Sequence, residues 1–100
     1  MVIKMSLLDY IKEYAKDDNI NIFPYLISDI DELKRIIPKL SDLEYIKISD
    51  YFLIILDYKL DNEFIDIISD RFLEIKDQSY DLYSLYQIIK SAKELVEEEY

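Results

Sequence analysis

The chain has 100 residues, a net charge of −10 and 51% hydrophobic residues, so it has enough apolar material for one folded domain despite its charge. It contains no glycine, histidine or cysteine. That excludes disulfides, thiolate metal sites, glycine-rich phosphate loops and the commonest general base.

In chain order, Ser6 precedes LLDYIKEYAK with Asp9 three residues on, which is the spacing of a capping box, and a helix is expected over about residues 7–16. Leu7, Leu8, Ile11 and Ala15 fall on its apolar face, with Tyr14 at the edge. Asp17, Asp18 and Asn19 then read as a polar turn. Residues 20–27 are ambiguous between extended and helical. Their alternation suggests a strand, whereas Pro24 suits the first turn of a helix. The preferred reading is a connector leading into a helical turn.

Ser28 and Asp29 start the next segment, with Asp31 and Glu32 where the helix dipole favours acids. Ile30, Leu33, Ile36 and Ile37 form its buried side. Pro38 is expected to stop it and to push the preceding residue out of helical geometry.

A central helix over about 42–60 follows, opened by Ser41 and Glu44 in capping-box spacing. Its run YFLIIL is the most apolar stretch of the chain. Leu43, Ile46, Leu53 and Ile54 lie on one side and Ile48, Phe52 and Ile55 on the adjoining one, so it reads as a helix enclosed by its neighbours. A buried strand is the competing reading, and the length of the pattern decides against it. Asp61 and Asn62 break this helix. EFIDIISDRFLEIK resumes with Phe64, Ile65, Ile68, Phe72 and Ile75 on one face. Ser79 caps a last helix running to about Glu98, with a stripe of Leu82, Leu85, Ile89, Ala92 and Val96.

The pattern predicts an all-α, single-domain acidic protein, a compact bundle of four to five helices around the buried central helix. No signal peptide is evident and the longest apolar run is far short of the roughly 20 residues of a membrane span, so a soluble cytoplasmic protein is expected.

Charge is concentrated in the second half. Residues 1–50 carry seven basic and ten acidic side chains, residues 51–100 five and twelve. Glu63, Asp66, Asp70, Glu74 and Asp77 recur at steps of three or four, which places them on one side of the fourth helix. Arg71 and Lys76 flank the row without neutralising it. The row reads either as a solvated outer face or as a docking strip for a basic protein surface. Ten tyrosines accompany it; Tyr80, Tyr83 and Tyr86 recur every three residues, so some rings fall at the rim of the core.

Asp17, Asp18 and Asn19, and Asp57, Asp61 and Glu63, cluster without the alternating acids and turn glycine of a calcium loop. No catalytic residue, metal site or cofactor is expected, and the chain does not read as an enzyme. The expected function is an accessory or adaptor protein whose partner-binding residues are Glu63, Asp66, Asp70, Glu74, Asp77, Tyr80 and Tyr83. Direct nucleic-acid binding is not expected, because base-stacking aromatics sit in positively charged grooves, and acidic faces argue against anionic membranes. Two alternatives are an inhibitor that mimics nucleic-acid charge and a hydrolase built on paired carboxylates such as Asp57 and Asp61.

Overall fold

Helix starts in this protein are set by short polar side chains that satisfy the first free backbone N–H groups. In the computed structural model, which describes residues 5–78 and 82–98, the capping box at the first helix is complete. Ser6 Oγ accepts from Asp9 N–H at 3.2 Å and Asp9 Oδ2 accepts from Ser6 N–H at 3.3 Å, opening α1 (Leu7–Lys16). The second box is complete as well: Glu44 N–H donates to Ser41 Oγ at 3.2 Å, and Ser41 N–H to Glu44 Oε1 at 2.9 Å. Ser41→Ala should therefore lower stability by about 1 kcal/mol in urea denaturation. The same substitution in a Glu44→Ala background should cost less.

Every element among the described residues is helical: α1, α2 (Phe23–Ser28), α3 (Ile30–Ile36), α4 (Asp42–Ile48), α5 (Phe52–Tyr58), α6 (Asn62–Ile75) and α7 (Tyr83–Glu98), with two 3-10 turns at Ile37–Lys39 and Ser49–Tyr51. The all-α class is as expected. The chain divides into two compact units, Met1–Ile48 and Ser49–Tyr100.

In the first unit α1 packs against α4, α2 and α3. Ile11 and Tyr14, three residues apart on one face of α1, are buried, as are Leu26, Leu33, Tyr45 and Ile48. Tyr14 thus belongs to the core rather than its edge, and Leu7, Leu8 and Ala15 are only half-buried. The turn after α1 is an Asx turn, Asn19 N–H donating to Asp17 Oδ1 at 3.0 Å. Lys47 on α4 pairs with Asp18 at 3.0 Å.

Residues 20–27 resolve as the connector reading had it. Asn21 lies outside regular structure and Pro24 occupies the first turn of α2. Asp29, not Ser28, caps α3, its Oδ1 accepting from Glu32 N–H at 3.0 Å. Pro38 does not displace its neighbour: Ile37 keeps helical angles (φ −52°, ψ −45°) and the chain tightens into the 3-10 turn. A 3-10 turn needs no N–H from its first residues, so proline fits there; α3 itself ends at Ile36, ahead of the proline as expected.

The central stretch is helical but not one helix. A 3-10 turn at Ser49–Tyr51 separates α4 from α5, and Lys59 is already extended. Ser and Asp side chains compete for local backbone groups, which suits residues 49 and 50 to such a break. Phe52, Ile55 and Leu56 are buried, whereas Leu43 and Ile54 are each 51% exposed. The expectation of near-complete enclosure is corrected for those two residues.

In the second unit α7 packs against α6 and α5. Asp61 caps α6 through Phe64 N–H at 3.1 Å, and Phe64, Ile65, Ile68 and Ile75 are buried, with Phe72 half-buried. Phe52 and Phe64 meet edge to face, centroids 5.7 Å apart. Leu85, Ile89 and Ala92 supply the buried stripe of α7; Leu82 and Val96 are half-buried. Ser79, the expected cap of the last helix, lies outside the described residues.

A buried hydroxyl in this unit works against the fold. Ser69 is 7% exposed and its Oγ has no hydrogen-bond partner among the described residues. Leaving a buried hydroxyl unpaired costs about 1–3 kcal/mol. Ser69→Ala, which also improves helix propensity, should raise the melting temperature in calorimetry.

Candidate functional site

α6 carries four of the five expected acids, Glu63, Asp66, Asp70 and Glu74; the helix ends at Ile75, so Asp77 falls in the turn beyond it and not on the helix face as expected. The apolar residues of α6 face the core, so residues spaced three and four apart on the far side face water. Glu63, Asp66, Asp70, Glu74 and Asp77 are all exposed. The carboxylates of Asp66, Asp70 and Asp77 enter no hydrogen bond or ion pair among the described residues. Glu74 does: Arg71 Nη1 approaches its Oε2 at 2.8 Å, from a side chain only 13% exposed. Arg71 therefore neutralises part of the row, contrary to expectation. The reason is the i,i+3 spacing combined with a guanidinium held down against the unit by burial.

Tyr83 is 70% exposed at the start of α7, as a rim tyrosine should be. Tyr80 lies outside the described residues. Two residues that the spacing argument left out of the site complete this surface. Leu73 is 56% exposed, and on α6 it sits three residues after Asp70, on the neighbouring turn of the helix. Tyr86 is 49% exposed, tilted against Phe72 with ring centroids 6.4 Å apart. Leu73 and Tyr86 line the same groove between α6 and α7, together with Lys90 and Lys93. Leu73 was legible in principle, since it falls off the stripe of Phe64, Ile68 and Ile75.

In the other carboxylate clusters three acids have structural roles, while Asp57 is exposed. Asp17 closes the Asx turn, Asp18 pairs with Lys47, and Asp61 caps α6. Among the described residues, no helix is long and apolar enough to cross a membrane.

A second feature was not visible at all in the sequence. In the first unit the rings of Tyr10 and Tyr25 stack at 3.9 Å with 16° between their planes. A hydrogen bond to the Tyr25 side chain raises the Tyr10 hydroxyl above the ordinary tyrosine pKa, with burial and the charge of Tyr25 adding to it. Fifteen residues and a polar turn separate the two, and no helical spacing links them.

Comparison with known proteins gives no matching family, no matching curated protein and no matching solved structure.

Proposed function

We propose that this protein is a non-enzymatic accessory protein that binds a protein partner carrying a basic surface, through the acidic side of α6 and the tyrosine-bearing start of α7. The observation that carries this reading is the exposure of Asp66, Asp70 and Asp77 without partners, beside an exposed leucine, Leu73. Carboxylates left unpaired on one helix face repel one another, and a cationic surface relieves that repulsion. The apolar neighbours Leu73, Tyr83 and Tyr86 supply the desolvated contact that holds a protein interface once charge has steered it together. They favour a protein partner over a surface that only imitates phosphate charge.

The test is affinity capture from the native source at low salt with the wild-type chain and with Asp66, Asp70 and Asp77 changed to lysine. Glu74 is left in place so that Arg71 keeps its pair. The wild type should retain a basic protein that elutes as salt rises, and the reversed variant should not. Equal retention by both would remove the row from the interface.

A further inference from the structure

The stacked tyrosines of the first unit form a ridge between two clefts. One, of about 530 Å³, is lined by Met5, Tyr10, Glu13, Ile20, Asn21 and Tyr25. The other, of about 370 Å³, shares Met5, Tyr10 and Tyr25 and has Asp29 and Glu32 in its lining. Among the described residues, no basic side chain lines either one. Both volumes fall in the range of small-ligand or side-chain sites.

The two sides differ in what their acids already do. Asp29 accepts the Glu32 N–H at the start of α3, and Glu32 is paired with Arg35. Glu13 is exposed and its carboxylate enters no hydrogen bond or ion pair among the described residues. Tyr25, 39% exposed, gives the larger cleft an aromatic wall held in place by its stack on Tyr10. The cleft thus combines a rigid π-face, an uncommitted carboxylate, an amide at Asn21 and an apolar base from Ile20 and Met5.

We infer that the Tyr10–Tyr25 ridge and Glu13 form a binding site for an arginine side chain of a protein partner. The negative ring face and the carboxylate both select a cation. The flat guanidinium can lie on the exposed tyrosine while its N–H groups reach Glu13 and the Asn21 carbonyl. A lysine ammonium, a compact and strongly hydrated charge, cannot stack in that way. The site lies in the other unit from the acidic row and does not depend on the reading of that row.

The probe is an acetylated, amidated Gly-Arg-Gly peptide added to the full chain and followed by two-dimensional NMR. Lysine and citrulline versions serve as controls. The arginine peptide should shift the ring signals of Tyr10 and Tyr25 and the side-chain amide of Asn21. The lysine peptide should shift them less, and the neutral citrulline peptide not at all. Glu13→Gln, a surface change, should weaken the response by roughly threefold, the scale of an exposed cation–π or charge contact. Tyr25→Leu keeps apolar bulk and removes the π-face, and should weaken it similarly with an unchanged circular dichroism spectrum. The variant with Asp66, Asp70 and Asp77 reversed should respond like the wild type. Equal shifts from the citrulline peptide, or an arginine response unaffected by Glu13→Gln and Tyr25→Leu, would overturn the inference.

Discussion

Phe64→Ala is expected to destabilise the protein by about 3–5 kcal/mol, measured as a fall in the urea midpoint by circular dichroism. The side chain is fully buried and meets the equally buried Phe52 edge to face. Truncation removes the transfer free energy of the ring and leaves a cavity that the fold cannot easily close. The Phe64 backbone is itself pinned, because its N–H donates to the Asp61 cap, so α6 is not free to slide inward. Set against the 5–15 kcal/mol typical of a domain, such a loss brings the chain near its unfolding threshold. Part of it belongs to the ring pair. A double-mutant cycle with Phe52→Leu and Phe64→Leu should show a coupling of about 0.5–1.5 kcal/mol. No coupling would mean that the edge-to-face geometry adds nothing beyond buried area.

The helix boundaries were legible wherever a capping side chain sat at the right offset. Ser6 with Asp9 and Ser41 with Glu44 mark local geometry, and a local signal survives folding unchanged. The apolar faces of α3 and α6 were legible for the same reason, since a 3.6-residue period needs no knowledge of neighbours. What escaped depended on tertiary placement. Leu43 and Ile54 carry the hydrophobicity of core residues and are half exposed, because the 3-10 turn at Ser49–Tyr51 breaks the phase on which their burial was argued. Tyr14 entered the core in place of Ala15 because α1 meets α4 slightly off the purely aliphatic stripe. At the candidate site, the exposure of Glu63, Asp66, Asp70 and Glu74 followed from periodicity alone, whereas Asp77 is exposed in the turn after α6. The Arg71 pair required knowing that its guanidinium lies almost buried, and the Tyr10–Tyr25 stack joins elements that no local pattern connects.

Reversing Asp66, Asp70 and Asp77 to lysine should make the protein more stable while it loses its partner, and the two effects together separate a docking strip from a merely wet face. In the wild type Glu63, Asp66, Asp70 and Glu74 on α6 place like charges at successive i,i+3 and i,i+4 steps, each unfavourable by a few tenths of a kcal/mol, and Asp77 follows in the turn beyond. The three reversals turn the neighbours 63–66, 70–74 and 74–77 into opposite-charge pairs and leave only 66–70 alike. Each one also replaces a negative charge by a positive one in a chain at −10, and lysine at 77, just past the C-terminal end of α6, lies where the dipole favours cations. The sum is about 1 kcal/mol, a rise of roughly 4–8 °C in melting temperature for a chain of this size. Salt should raise the wild-type melting temperature more than that of the variant, because screening relieves a repulsion the variant no longer has. A face that meets a cationic partner has its repulsion relieved in the complex. Higher stability with partner capture intact would make the row a solvated surface; higher stability with capture lost is the result expected of a binding one.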